Sequence, residues 1–460
     1  MPRLRLAGAQ PPLTFIPPAR RAWVRWLVRL LLPLLLRGQG VGRVQADGVA
    51  ELAGCFRAQQ QGRVRLFLAF RHPSTRDPLV LAWLFWCAVP RLARRLGRPL
   101  RPPVHAQFLY DRGIPLWAGA LVGWVLCSLG GVPIQRGKLD RQALRMAREL
   151  AVDGPFPLAI APEGATNGHG ELISPLEPGL AQLAFWACED LAAAGRPERV
   201  VIVPIGLRYP LLRPSWPRIE RLLAPLERRL GLAPPPPGPP RPRKDRETDQ
   251  EALAEHRYGR LLAVAEVMLR ELEGFYRQAH GLHFTGGAPF AERMAQLRDR
   301  VLELAESRFA LRSQGTLQER CRRIEQAGWE RIYRADLDAL SPVGRGLADW
   351  TAAEASLCLD HMRLVEPFTA MSGRYVVDRP TPDRYAELLL ILWRAVAWIE
   401  GRPQLRPPSL GPTQAVLQVG PAIDVTDRHG AYRQDRRAAV DSLTGAVRTA
   451  LQDILERGLR

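Results

Sequence analysis

The sequence predicts an α/β fold: a mixed sheet flanked by helices, with an N-terminal amphipathic helix and a large, mainly helical insertion. Three observations lead there. Between residues 64 and 205, short apolar runs of strand length alternate with helical periodicities. A proline-rich stretch, Ala233 to Arg243, then interrupts the pattern. After it, residues 247–401 carry helical periodicity alone, before one more strand-like run and a last helix.

Taken in order, residues 20–37 come first. Arg21, Arg25 and Arg29 recur every four residues on one helical face, and Trp23, Trp26, Leu27, Leu30, Leu31 and Leu34 share the other. Tryptophan beside arginine suits the headgroup layer of a membrane; a helix packed on its own domain shows the same pattern. The apolar run Leu30–Leu36 is too short to span a bilayer and has no small-residue cleavage site, so no secretory signal is expected.

Val64–Phe70 reads as a strand, Leu79–Val89 as a helix and Val104–Leu109 as a strand. The uncharged stretch Ile114–Ile134 is long enough to cross a membrane. Pro115, Gly119, Gly123, Gly130, Gly131 and Pro133 interrupt it, so a buried or interface-lying helix to about Leu129 and then a strand are expected. A charged helix over 139–151, a strand at Leu158–Ala161, a helix at Leu180–Ala194 and a strand at Val200–Ile205 follow. The proline-rich stretch reads as a semi-rigid linker. Beyond the helical region come a strand at 414–420 and an amphipathic helix over about 431–458.

Composition narrows the function classes. An apolar content of 47% in 460 residues marks a folded chain rather than a disordered one. The net charge of +19 is almost all arginine, with Lys138 and Lys244 the only lysines. A basic surface attracts anionic membranes or nucleic acid. No nucleic-acid motif is visible, and the aromatics cluster in apolar helices, so no nucleic-acid partner is expected. The six scattered cysteines have no CxxC pair and read as free thiols in a reducing compartment. No Cys/His cluster has metal-ligand spacing, and no metal is expected.

Three polar islands follow apolar runs. The first is His72-Pro-Ser-Thr-Arg-Asp77. An imidazole takes a proton from a hydroxyl at neutral pH when a carboxylate holds its far nitrogen, and five positions across a strand-to-helix turn let the two meet. Asp77-Pro78 is also a good helix start, and Ser74-x-x-Asp77 resembles a capping box, so the same residues satisfy a purely structural role. The second island, Gly131 to Gly137, places Arg136 where a guanidinium can hold a phosphate, although such an arginine is commonly a surface residue. The third, Pro162-Glu163-Gly164, puts a carboxylate and a flexible glycine at a strand end, or is a plain turn. His169, in the Gly-His-Gly loop beyond, is expected to be exposed.

Taken together, these blocks resemble the glycerolipid acyltransferase superfamily, the glycerol-3-phosphate and 1-acylglycerol-3-phosphate acyltransferases. His72 to Asp77, Gly131 to Arg136, Pro162-Glu163-Gly164 and Val203-Pro204-Ile205 match its four blocks in order, and the resemblance covers about residues 40–210. It implies transfer of a fatty acyl group from acyl carrier protein or coenzyme A to a hydroxyl, with no bound cofactor. His72 would be the general base and Asp77 its orienting partner. The acceptor would attack the thioester directly, without a covalent acyl-enzyme. Arg136 would contact acceptor phosphate, and Glu163, Gly164 and Thr166 would shape or line the acceptor site. The implied partners are a membrane surface, on its cytoplasmic side, an acyl thioester and a lysolipid.

On this reading residues 1–40 form a membrane-interface segment, 41–232 the acyltransferase domain, 233–246 the linker and 247–410 the helical insertion, with 411–460 returning to the first domain. The sequence departs from the family at two cationic positions. Glu-Gly-Thr-Arg is here Glu163-Gly164-Ala165-Thr166, and a downstream basic element is here Glu177-Pro178-Gly179. Neither Thr166 nor Glu177 can replace a cation on a phosphate. The acceptor is therefore open between lysophosphatidate and a lysolipid or alcohol without a phosphate, with Arg136 and Arg208 as compensating candidates. A non-catalytic basic module binding membrane or nucleic acid is a third reading.

Overall fold

The computed structural model describes residues 8–135, 140–233, 247–366, 375–402 and 407–458. They divide into a sheet unit, Leu13–Leu212 with Pro412–Arg460, and a helical unit, Met1–Pro12 with Arg213–Gly411.

The sheet unit begins with α1 (Ala22–Gly38), β1 (Val41–Asp47), α2 (Val49–Gln60) and β2 (Val64–Phe70). Next come α3 (Asp77–Trp83), a π-helical turn (Leu84–Ala88) and α4 (Val89–Arg95), which form one interrupted helical stretch, then β3 (Gln107–Asp111). The long uncharged segment is not a single helix. It breaks into α5 (Ile114–Ala118) and α6 (Ala120–Ser128) at Gly119, whose φ of 93° a residue with a Cβ rarely adopts, and ends in β4 (Gly131–Ile134). Then follow α7 (Arg141–Asp153), β5 (Leu158–Ile160), α8 (Gly179–Ala193) and β6 (Arg199–Arg208). Asp140 caps α7 by accepting from Ala143 N at 3.1 Å.

The helical unit contains α9 (Trp216–Arg229), α10 (Glu247–His280), α11 (Phe290–Arg308), α12 (Leu317–Ile332), α13 (Pro342–Val365) and α14 (Pro382–Ile399). Its helix starts are written locally: Thr316 and Glu319 form a capping box, and Ser341 and Thr381 cap helices that open on proline. The backbone of Gln10 is tied to this unit through Ile332 and Arg334. The chain closes in the sheet unit with β7 (Thr413–Val419), β8 (Ile423–Asp424), α15 (His429–Gln434) and α16 (Arg436–Arg457).

The strand order is β1-β7-β6-β2-β5-β3-β4, with β8 also on β6. From β6 to β4 the strands run parallel; β7 is antiparallel to β6 and parallel to β1. The sheet is therefore mixed. Parallel strands need crossover helices, and these cover both faces. Leu66, Leu68 and Phe70 pack with Val201, Val203 and Ile205 under α1 to α4. Phe67 and Ala69 point the other way and pack with Leu158, Ile160, Val200 and Ile202 under α7, α8 and α16. Burial on both faces is why β2, β5 and β6 read as unbroken apolar runs.

The packing of α1 corrects the two-faced picture of it. Val24, Leu32 and Leu36 are buried and Val28 packs with them, so a stripe spaced by four residues anchors the helix to the sheet unit. The Trp/Leu face points outward: Trp23 is 59% exposed, Trp26 66% and Leu34 64%. Trp124 of α6 meets Trp23 with ring centroids 5.7 Å apart, and Leu116 and Leu121 are also exposed. No helix among the described residues is long and apolar enough to cross a membrane.

Candidate active site

The chain leaves β2 toward α3 and β3, on one face of the sheet and one side of β2. It leaves β5 toward α8 and β6, on the opposite face and the opposite side of β2. Where neighbouring parallel strands send their connections apart, their carboxyl ends leave a crevice, the usual ligand site in open α/β sheets. His72 follows β2 into that crevice, and Glu163 to Thr166 follow β5.

His72 and Asp77 meet there. The Nδ1–H of His72 donates to Asp77 Oδ2 at 2.8 Å. A carboxylate only accepts, so the proton sits on Nδ1 and the neutral ring presents Nε2 as a base. The Asp77 side chain is fully buried, while 24% of the His72 side chain faces solvent. Two further donors compensate the burial of Asp77: Ser74 N at 3.0 Å and the Tyr209 hydroxyl at 2.5 Å. Ser74 lies two residues before Arg76, the N-cap of α3, so this bond fixes the loop ahead of the helix and does not cap it. Ser74 Oγ turns instead to Arg76, accepting from its Nε at 2.9 Å.

Tyr209 lies one residue beyond β6 and carries no visible signal in the sequence. Burial, then the adjacent Asp77 charge, pushes its phenol well above the ordinary range, which keeps it a donor. The Arg76 guanidinium stacks over its ring at 4.4 Å and donates to Thr413 Oγ1 of β7 at 2.9 Å. Burial lowers the Arg76 pKa.

Glu163 is buried, and the protein itself takes up its carboxylate. Arg71 donates from Nε at 3.3 Å, His72 N at 3.2 Å, Ser174 N at 3.1 Å and Asn167 Nδ2 at 2.5 Å. Arg71, also fully buried, donates to the carbonyls of Gly170 at 2.6 Å and of Leu172. The Arg71–Glu163 pair thus ties the loop after β5 to the end of β2. Arg71 was legible in principle: it continues the phase of Phe67 and Ala69, so period-2 alternation buries it and demands a partner. His169, expected at the surface, is buried; its carbonyl accepts from Arg71 at 3.4 Å. Burial, then Arg71, lowers its pKa to about 4.

Gly164 turns the loop with φ at 70°, and a Cβ built there would meet Glu177 Oε1 at 2.1 Å. The glutamate that stands at a family-basic position therefore lies against this turn. Thr166 is exposed, and its Oγ1 lies 2.9 Å from His72 Nε2, on the face of the ring opposite Asp77. Arg208 donates to the Gly458 carbonyl. Arg136 lies outside the described residues. Among the described residues no group of three or more His, Cys, Asp or Glu side chains could hold a metal ion.

Residues 57–208 match the family model described as Acyltransferase. Over that span the chain is similar to the acyltransferase family. The match is consistent with the glycerolipid acyltransferase superfamily and supports acyltransferase-type chemistry in general. No curated protein and no solved structure matches significantly. The matched span includes β2 to β6 and the His72, Asp77, Glu163 and Thr166 positions, and it ends before the helical unit.

Proposed function

We propose that the protein is an O-acyltransferase that moves a fatty acyl group from an acyl thioester, of coenzyme A or acyl carrier protein, to a hydroxyl of a glycerolipid at a membrane surface. The observation that carries this is the oriented imidazole: Nδ1 is held by buried Asp77 at 2.8 Å, and a hydroxyl already sits on Nε2 at 2.9 Å. In the reaction Nε2 takes the proton of an attacking hydroxyl, Asp77 stabilises the imidazolium, and that proton then goes to the departing group. Tyr209 and Ser74 N keep Asp77 aimed.

The default acceptor is 1-acylglycerol 3-phosphate, in phospholipid synthesis. A second reading, an acceptor without a phosphate, is favoured by Glu177 against Gly164 and by Thr166 where the family has arginine. The exposed Trp23, Trp26, Leu30, Leu34 and Leu121 support docking to a membrane surface, where exposed apolar surface finds lipid and the arginines find anionic headgroups; the proposed side is the cytoplasmic one.

The test is product analysis by mass spectrometry with coenzyme A and acyl-carrier-protein thioesters. Acceptors are lysophosphatidate, glycerol 3-phosphate, other lysolipids and long-chain alcohols, with His72→Ala as control. Phosphatidate from wild type alone supports the default acceptor, and a phosphate-free product supports the second reading. No product from any pairing overturns the enzyme reading and leaves salt-sensitive binding as the function.

A further inference from the structure

We propose that Tyr209, locked in place by β7, is a positioning residue for acyl transfer: it holds the second oxygen of Asp77 and so fixes the aim of His72. The inference rests on the acyltransferase reading above. It also carries the working parts of the site beyond residues 57–208, the span that matches the family, because Tyr209 and β7 both lie outside it.

Asp77 Oδ2 accepts from His72 Nδ1 at 2.8 Å and from Ser74 N at 3.0 Å. The torsion that turns an aspartate carboxylate has broad wells, so its own rotamer does not fix its plane. Among the described residues Tyr209 alone engages the other oxygen, Oδ1, at 2.5 Å. With both oxygens held, the carboxylate is braced against rotation, and the imidazole bonded to it is braced too. Asp77 is fully buried, and a hydrogen bond to an ionised acceptor away from water is among the stronger kinds. Tyr209 bonds to Asp77 rather than to His72, so it acts through the carboxylate.

The phenol is itself clamped from two sides. The chain just past it pairs with the start of β7: Gln414 N donates to the Pro210 carbonyl at 2.8 Å, and Leu212 N donates to the Pro412 carbonyl at 3.0 Å. Arg76 closes the other side. Its guanidinium lies 4.4 Å from the centre of the Tyr209 ring, and it donates to Thr413 Oγ1 and to Ser74 Oγ, each at 2.9 Å. Thr413 Oγ1 passes its own proton to the Gly40 carbonyl at 3.2 Å, which leaves its lone pairs to Arg76. Offsetting the burial of Asp77 needs only a donor. Two separate restraints on the ring that carries the donor are what aiming needs, since a group one step behind the reacting atoms must be locked by its own neighbours. The strand that supplies them enters the sheet only after the helical unit.

The experiment compares full-length wild type, Tyr209→Phe and Thr413→Val. Rates are taken per folded molecule with palmitoyl-coenzyme A, lysophosphatidate and the other acceptors, beside thermal melting. Proton NMR of protein labelled with ¹⁵N-histidine follows the His72 Nδ1–H resonance, recognised by its loss in His72→Ala. Tyr209→Phe keeps the ring and the stacked guanidinium and removes only the hydroxyl. Its kcat should fall roughly 10–100-fold, the scale of a reacting group slightly out of place, with KM within about twofold. The His72 Nδ1–H resonance should move as well. Thr413→Val frees Arg76 but leaves the bond to Asp77, so it should act in the same direction and less strongly. Tyr209→Phe that melts earlier yet keeps wild-type kcat would overturn the proposal: the hydroxyl would then only offset the burial of Asp77. A fall in kcat with the resonance unmoved would overturn it too, because the effect would not pass through the Asp77–His72 bond. A displaced resonance in Tyr209→Phe, with no transfer by wild type from any pairing, would support the brace and defeat the acyltransferase reading instead.

Discussion

His72, at the end of β2, and His361, in α13 of the helical unit, each engage one oxygen through Nδ1, at 2.8 Å and 2.9 Å. The oxygens differ, and so does the rest of each site. His72 faces a carboxylate and is partly open to solvent. His361 faces the Tyr276 hydroxyl, is buried, and has an Nε2 without a hydrogen-bond partner among the described residues. Burial, then the charge of His280, lowers its pKa to about 4, so it stays neutral and acts as packing. An imidazole becomes a usable base only when a carboxylate can stabilise its charged form and a reactant can reach its other nitrogen. In this chain that combination stands at the strand-end crevice.

The sharpest break of this contrast is chemical. His72→Ala or Asp77→Asn is expected to lower acyl transfer by roughly 10²–10⁴-fold. His361→Leu should leave steady-state rates within about twofold, the scale of a change outside the reacting groups. Equal losses from both histidines would end the distinction.

Stability is expected to reverse the order. Glu163→Ala strands the buried Arg71 guanidinium and should cost about 3–5 kcal/mol in denaturant titration. Arg71→Leu with Glu163→Leu should recover part of that loss, because no buried charge is then left unpaired. Activity would not return with stability if the loop after β5 needs the ion pair for its placement.

Acid acts next, through the buried histidines. His361 binds a proton near pH 6.5 when unfolded and at about 4 when folded. Between those values the unfolded chain holds more protons. The stabilisation is full above about pH 6.5 and is lost as pH falls toward 4, by at most about 1.4 kcal/mol per pH unit per histidine. His105, also lowered to about 4 by burial, and His169 act in the same direction. Melting at pH 7 and pH 5 should show this slope. His361→Leu should flatten it.

The smallest expected effect is at the turn. Gly164→Ala puts a Cβ at φ 70° and should cost about 1–2 kcal/mol. The Glu177 carboxylate it meets is a flexible chain end and can swing aside. A larger loss would mean that the turn is more constrained than its backbone angle indicates.

The local sequence determined much of this. The mixed α/β class follows from apolar runs that a sheet covered on both faces requires, and β2, β5 and β6 lie where those runs lie. His72 and Asp77 are five positions apart, so one turn of chain brings them together. β1 and α2 escaped notice because Val41–Asp47 alternates only weakly and is largely exposed. α5 and α6 read as one helix until Gly119 separated them.

Tertiary structure alone decided the contacts that complete the site. Thr166 reaches His72 across 94 positions, Arg71 reaches Glu163 across 92, and Tyr209 reaches Asp77 across 132. It also decided that β7 enters the sheet between β1 and β6, and that α1 turns its tryptophans outward while Val24, Leu32 and Leu36 hold it down. The physical reason is the same in each case. Periodicity records which residues of one element share a face, and a short spacing records what one turn can join. Which element lies next to which is settled by packing among all of them, and no single segment carries that information.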